Sequence, residues 1–323
     1  PEKRNFFLER SSIFDFGLGG PNTLFYSRQI GLYEGEPVRI WGGARLNSRI
    51  NDWDIGLMDL QTASLDDLPS ENFGVFRVKK RVLNDYSYTG GMLTSRIGVD
   101  GSYNMAYGLD AVIRVFGDDY LTLRWAQTYT DSAENNPLSC DPTRYRIKGE
   151  NRRQEGFSYS FLHTLSGTGF EPGIGFEIFQ DYYASRVTLQ YGWNSPEESP
   201  LQEHAIYMLT YHLNDVTSNE LLTYFTDVGW TFSGKESWYG SFDLIYQYEN
   251  LDEEFELLDP VIIPVGKYSF LNTSLMINSP GSRPFSTTIM LEGGGYFDGW
   301  KVSPSIQPLW SPGSSVELGG LYR

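Results

Sequence analysis

The stretch Tyr103-Asn104-Met105-Ala106-Tyr107-Gly108-Leu109-Asp110-Ala111-Val112-Ile113-Arg114-Val115 has a period of two. Tyr103, Met105, Tyr107, Leu109, Ala111, Ile113 and Val115 fall on one side, and Asn104, Gly108, Asp110 and Arg114 on the other. Successive side chains of a strand point to opposite faces, so this reads as a strand with one apolar and one polar face. Trp238 to Tyr248 repeats the pattern, with Trp238, Gly240, Phe242, Leu244, Tyr246 and Tyr248 opposite Ser241, Asp243 and Gln247. Val187, Leu189, Tyr191 and Trp193 likewise stand opposite Arg186, Thr188 and Gln190. Roughly seventeen such runs follow one another between turn residues, and helical periodicity is almost absent.

Many runs reach about ten residues, the length with which a strand crosses a bilayer, whereas strands of soluble sheets peak near about five or six. The expected fold is all-β: an antiparallel up-and-down transmembrane β-barrel with about 16–18 strands present. Tyr103, Trp193, Trp230, Trp238 and Tyr248 stand at the ends of apolar faces. They are candidates for the interfacial aromatic belt, where a ring with an apolar body and a polar handle is favoured. The same rings could instead fill the core of a soluble β-sandwich.

Connector lengths carry a second signal. With Thr23 to Leu32 taken as the first strand, Ser48 to Asn51 is short and Ala63 to Asn72 is long. Leu83 to Asp85 is short, Gly98 to Ser102 moderate and Gly117 to Asp119 short. Asp131 to Gly156 reads as one very long connector, and Ser166 to Gly169 as a short one. Tight turns on one side and longer loops on the other are the habit of outer-membrane barrels. On that parity the N-terminus enters from the periplasm. The alternation fades after Asp181.

The polar face is rich in charge. Arg77, Lys79 and Arg81 point away from Phe76 and Val78; Arg39 and Arg45 alternate with Val38, Ile40, Ala44 and Leu46; Arg124 faces away from Leu123 and Trp125. An arginine on the lipid face at mid-depth costs about 2–4 kcal/mol. These residues, with Arg114 and Arg186, are therefore expected to line the lumen, where Asp110, Glu177, Asp227 and Asp243 could neutralise them. Such a wall could simply seal the interior, or it could select anionic solutes.

The sequence carries no motif for catalysis. With 25 basic and 41 acidic residues the net charge is −16, which argues against nucleic-acid partners. The single cysteine, Cys140, lies in a polar stretch and leaves no disulfide framework. His163, His204 and His212 match no metal-ligand spacing, so no metal and no cofactor is expected. No phosphate loop and no nucleophile elbow is present, and no catalytic residue is assigned. No apolar run is long enough for a membrane-spanning helix, which says nothing about a barrel.

Pro1-Glu2-Lys3-Arg4-Asn5-Phe6-Phe7-Leu8-Glu9, then Ile13-Phe14-Asp15-Phe16 and Leu24-Phe25-Tyr26-Ser27-Arg28-Gln29-Ile30-Gly31, resemble the start of an uncharacterised C-terminal barrel domain of Bacteroidota and related bacteria. Ile40 to Leu46, Ile55 to Thr62, Ser70 to Phe73, Leu251 to Phe255 and Ile263 to Tyr268 extend the resemblance over most of the chain. Asn5 and Arg10 depart from the usual proline and glycine of the opening motif. In that family a family-9 carbohydrate-binding-like module lies upstream. The resemblance implies residues 1–22 as a lead-in from a missing periplasmic module and 23–323 as a barrel domain. The last residues, Gly320-Leu321-Tyr322-Arg323, read as the middle of a strand, so a barrel incomplete at its C-terminus is expected.

The implied protein is an integral outer-membrane barrel of a Gram-negative bacterium, not an enzyme. It would act as anchor, pore or conduit in glycan or cell-envelope polymer handling. Its partners would be outer-membrane lipid and, through the upstream module, a saccharide or envelope polymer. The competing class is a soluble all-β glycan-active protein, a glycoside hydrolase or a lectin, with exposed aromatics clustered in a groove beside convergent carboxylates.

Overall fold

The computed structural model describes residues 4–133, 135–258, 261–313 and 315–322, so Pro1-Glu2-Lys3 of the family-like opening lies outside it. The chain is nearly all β. Its first part makes only short elements: α1 (Asn5–Leu8), a 3₁₀ turn (Ser11–Phe14), β1 (Gly17–Gly19) with β2 (Asn22–Thr23), a second 3₁₀ turn (Ser27–Gln29), and β3 (Leu32–Tyr33) with β4 (Glu36–Pro37). Long strands follow: β5 (Ile40–Ile50), β6 (Trp53–Thr62), β7 (Glu71–Arg81), β8 (Tyr88–Gly98), β9 (Tyr103–Phe116) and β10 (Asp119–Thr130). Next come β11 (Thr143–Asn151), β12 (Gly156–Ser166), β13 (Tyr182–Asn194), β14 (Leu201–Asp215), β15 (Leu221–Gly234) and β16 (Tyr239–Leu251). The last are β17 (Phe255–Leu258), β18 (Val261–Ile263), β19 (Gly266–Asn278), β20 (Phe285–Tyr296), β21 (Gly299–Gly313) and β22 (Val316–Gly319).

Sixteen of these strands, β5 to β16 and β19 to β22, form one antiparallel sheet in chain order, with β5 and β22 as its edges among the described residues. β17 and β18 pair with each other as a separate hairpin. By contacts the chain divides into two compact units. Unit 1 comprises Pro1–Gly149, Leu162–Tyr183 and Asp215–Ser218; unit 2 comprises Glu150–Phe161, Ala184–Asn214 and Asn219–Arg323.

Unit 1 holds the hydrophobic core. Met58, Leu60, Phe73, Val75, Met92, Ala106 and Ala126 come from the sheet, and Phe7, Ile13, Phe14, Phe16, Leu18, Leu24 and Ile30 from the segment before β5. Phe170 and Ile174, from the connector between β12 and β13, complete it. The core thus lies between one face of the sheet and a strap made of residues 5–38 and 167–181. Glycines make room for it. A Cβ on Gly56 would meet the Phe14 ring at 2.8 Å, and one on Gly108 the Phe16 ring at 2.7 Å. The opposite face of the sheet is apolar and exposed. Leu46, Leu57, Phe76 and Leu93 pair in turn across β5 to β8, each between 43 and 57 % exposed.

Two expectations about connectivity are corrected here. Thr23 to Leu32 is not the first strand: it contains the Ser27–Gln29 turn, and Leu24 and Ile30 are fully buried under the sheet. Asp131 to Gly156 is not one loop, because it contains β11; the connector after β12 is correspondingly long, residues 167–181. In unit 1 the links 51–52 and 117–118 are short and 63–70, 131–142 and 167–181 are long, but the expected order of the two between them is reversed, since 82–87 is longer than 99–102. The strap joins β5 at the long-link end, having already crossed the polar face from Ser12, which Lys79 contacts near the short-link end.

Unit 2 repeats the strand pattern without that filling. None of its described residues belongs to the core cluster. Ile206, Trp230, Phe242, Leu275 and Leu291 pair in turn across β14, β15, β16, β19 and β20, and each is between 37 and 52 % exposed.

Candidate functional site

The strap crosses the polar face of unit 1 without a strand ladder to the sheet, so its carbonyls need other donors. Basic side chains of five strands supply them. Arg45 on β5 donates to the carbonyls of Phe6 and Glu9, and Lys79 on β7 to that of Ser12 at 3.1 Å. Arg77 donates to the Asp15 carbonyl at 3.2 Å, Arg124 on β10 to that of Gly17, and Arg144 on β11 to that of Leu18 at 3.4 Å. Arg96 on β8 reaches the Gly173 carbonyl at 3.5 Å while pairing with Glu71 at 2.7 Å. The alternation aims Arg77 and Lys79 at one face because they are two residues apart on β7.

Two buried ion pairs sit in this layer. Arg77 and Asp110 make a bidentate pair, with both bonds at 2.7 Å and both side chains almost wholly buried. Arg144 lies 3.4 Å from Glu177 and donates to the Tyr182 hydroxyl at 2.6 Å. Glu177, on the connector outside the strands, also accepts from the Asn22 amide at 3.2 Å. Burial pushes its carboxyl up to about 7, and the Arg144 charge only partly opposes the shift.

The other residues singled out from the sequence are scattered. Arg39 precedes β5, and a bulge between Ile40 and Gly42 breaks the alternation expected from Val38 to Leu46. Its guanidinium stacks on exposed Trp41 at 4.7 Å, while Val38 is buried. Arg81 is half-exposed near Asp52 and Asp85, and Arg114 bonds Gly117 and Asp118 within its own turn. Arg186, in unit 2, lies over the Tyr211 ring at 5.4 Å. Asp227 and Asp243 converge on Tyr207, whose Oη lies 3.0 Å from Asp227 Oδ2 and 2.7 Å from Asp243 Oδ1.

Among the aromatics, Trp193, Trp230 and Trp238 gather at one end of the unit 2 strands. Trp193 stacks on His204 at 5.0 Å, Trp230 Nε1 donates to His204 Nδ1 at 3.4 Å, and Phe232 links Trp230 to Trp238. Tyr248 stands toward the other end of β16. Tyr103 opens β9 in unit 1, where the Asn135 amide donates to its hydroxyl at 3.1 Å. His163 pairs with the Tyr145 hydroxyl at 3.0 Å, and Cys140 is exposed. No group of three His, Cys, Asp or Glu side chains among the described residues is arranged to hold a metal.

Sequence reasoning missed Arg96, Glu71 and Arg144. Arg96 and Glu71 carry a signal, since they lie on the same face as Thr94 and Phe73. Arg144 was hidden because β11 has a weak apolar face, with only Tyr145 and Ile147 between charged residues. In comparisons with known proteins, no family model matches the chain and no curated protein matches it.

Proposed function

We propose that this chain is the wall of an integral outer-membrane β-barrel that serves as anchor or conduit in glycan or envelope-polymer handling. The observation that carries this reading is the inside-out distribution of apolar side chains. In unit 2, Ile206, Trp230, Phe242, Leu275 and Leu291 form an unbroken exposed row, while its few buried apolar residues, Ala184, Ala205, Ile263 and Phe270, lie outside the core cluster. A water-soluble fold gains its stability by removing such a row from solvent, at about 25 cal/mol per Å²; a membrane wall leaves it facing hydrocarbon. The aromatic group at the strand ends supports the same placement, because amphipathic rings favour the headgroup level. Two uncovered sheet edges in hydrocarbon would leave backbone groups unsatisfied, so the reading entails closure into a barrel.

Within unit 1 the strap and its basic donors favour a sealed interior over an anion filter, since Arg77, Lys79, Arg124 and Arg144 are already committed to carbonyls and acids. The soluble glycan-active alternative has one observation in its favour, the convergence of Asp227 and Asp243 on Tyr207. Cell fractionation separates the two. Recovery in the outer membrane, with a folded band that shifts on boiling, is expected; full recovery in the soluble fraction would make the alternative the leading reading.

A further inference from the structure

At the strand ends of unit 2 where Trp193, His204 and Phe232 gather lies an open cavity of about 510 Å³, within the range of about 300–1,000 Å³ typical of small-molecule sites. Gln154, Gln190, Glu203, Tyr207, Ser241 and Met276 are among its lining residues, and none of the lining residues is a lysine or arginine. Tyr207 is held in place on both sides of its ring. Its hydroxyl sits between Asp227 and Asp243. Its ring lies over Gly229, where an added Cβ would meet ring carbons at 2.5 Å. Ser241 in turn donates to Asp243 at 2.9 Å, and Ser233 to Glu203 at 3.4 Å. A rigid ring whose hydroxyl is already satisfied offers its face and not its polar tip.

We propose that this cavity binds an uncharged, polyhydroxylated ligand, a saccharide of two or three units. Each competing ligand class fails on the lining. Glu203 and the neighbouring Asp243 repel an anion, and the lining holds no lysine or arginine to receive one, its one imidazole, His204, being engaged by the Trp193 ring and the Trp230 indole N–H. An apolar ligand would strip water from the Gln154 and Gln190 amides without replacing its hydrogen bonds. A metal ion would need three converging ligands, which the described residues do not provide. Amides, hydroxyls and a carboxylate together donate to and accept from vicinal hydroxyls, and the fixed Tyr207 ring presents a flat surface to the C–H side of a pyranose. The proposal deepens the glycan half of the function proposed above and does not depend on the sheet facing lipid, so the two fail separately.

The test uses the full chain in mild detergent, with saturation-transfer NMR titrations of maltotriose, cellotriose, xylotriose, mannotriose and, as the charged contrast, trigalacturonate. Saturation transfer to at least one neutral trisaccharide is expected, with trigalacturonate weaker. Gln190→Ala, an open-surface change that leaves folding intact, should raise the apparent Kd about fivefold by removing one hydrogen bond. Gly229→Ala, which displaces the Tyr207 ring, should weaken binding at least as much. No transfer to any neutral trisaccharide would overturn the proposal. So would transfer unchanged by both substitutions, or a preference for trigalacturonate.

Discussion

In unit 1 the polar face of the sheet lies beneath the strap, and Arg77, Lys79, Arg124 and Arg144 reach across to its carbonyls. In unit 2 the charged side chains of the same face, Arg186, Asp227 and Asp243, find their partners on the sheet itself, in Tyr211 and Tyr207. Both units expose an equivalent apolar row on the other face. The difference shows that charge on the polar face of such a sheet need not belong to a passage. Where a chain segment crosses the sheet in unit 1, bases serve as donors to backbone that has no ladder; in unit 2 the carboxylates of Asp227 and Asp243 accept from the Tyr207 hydroxyl. The contrast also separates two sources of stability: a conventional core in unit 1, and in unit 2 an apolar face whose benefit depends on its solvent.

Substitutions can break this contrast. Arg77→Ala removes one half of a buried pair and leaves Asp110 uncompensated, which should cost about 3–5 kcal/mol. Arg186→Ala in unit 2 removes a ring contact only and should cost about 0.5–1 kcal/mol; denaturant midpoints of the two variants, measured in the same detergent, give the comparison. The apolar faces should not differ. Leu109→Arg in unit 1 and Leu275→Arg in unit 2 should each destabilise the inserted protein by about 2–4 kcal/mol, read as loss of the heat-modifiable band. If only one of the pair is harmful, the two faces do not share a solvent.

Acidity probes the strap. Because burial raises the Glu177 carboxyl to about 7 from an ordinary value of 4.5, the folded state binds the proton more tightly than the unfolded state. Stability is then greatest below the ordinary carboxyl range and falls as pH rises through about 7, by at most about 3 kcal/mol. Urea unfolding at pH 5 and pH 8 should show that loss in the native chain and lack it in Glu177→Gln. The glycine gaps give a further contrast, which includes the smallest effect expected. Gly108→Ala, whose Cβ would meet Phe16 at 2.7 Å, should cost about 1–3 kcal/mol. Gly293→Ala, with nothing nearer than 3.7 Å, should be close to neutral in the same assay.

The sequence made some of this legible and hid the rest for physical reasons. The opposite facing of Phe76 and Arg77, and of Leu109 and Asp110, was readable because a charged residue beside a large apolar one leaves a strand only one arrangement. Asp110 as a neutralising acid was readable too, although its pairing with Arg77 depends on register across β8, which local pattern does not specify. The strap was not readable. Its Leu24 and Ile30 are spaced like one face of a strand, and only burial against the sheet makes them core. The bulge at Ile40 likewise moved Arg39 away from Arg45, because one inserted residue reverses every side chain beyond it. β11 escaped because charge obscured its apolar face.

The central claim is that the exposed apolar face meets hydrocarbon, and tryptophan quenching in proteoliposomes tests it most directly. Trp53, Trp193, Trp230 and Trp310 are all between 38 and 48 % exposed. Lipids brominated on the acyl chains should quench much of the tryptophan emission, and aqueous acrylamide should quench little of it. Strong quenching by acrylamide with none by brominated lipid would place these rings in water and contradict the membrane wall.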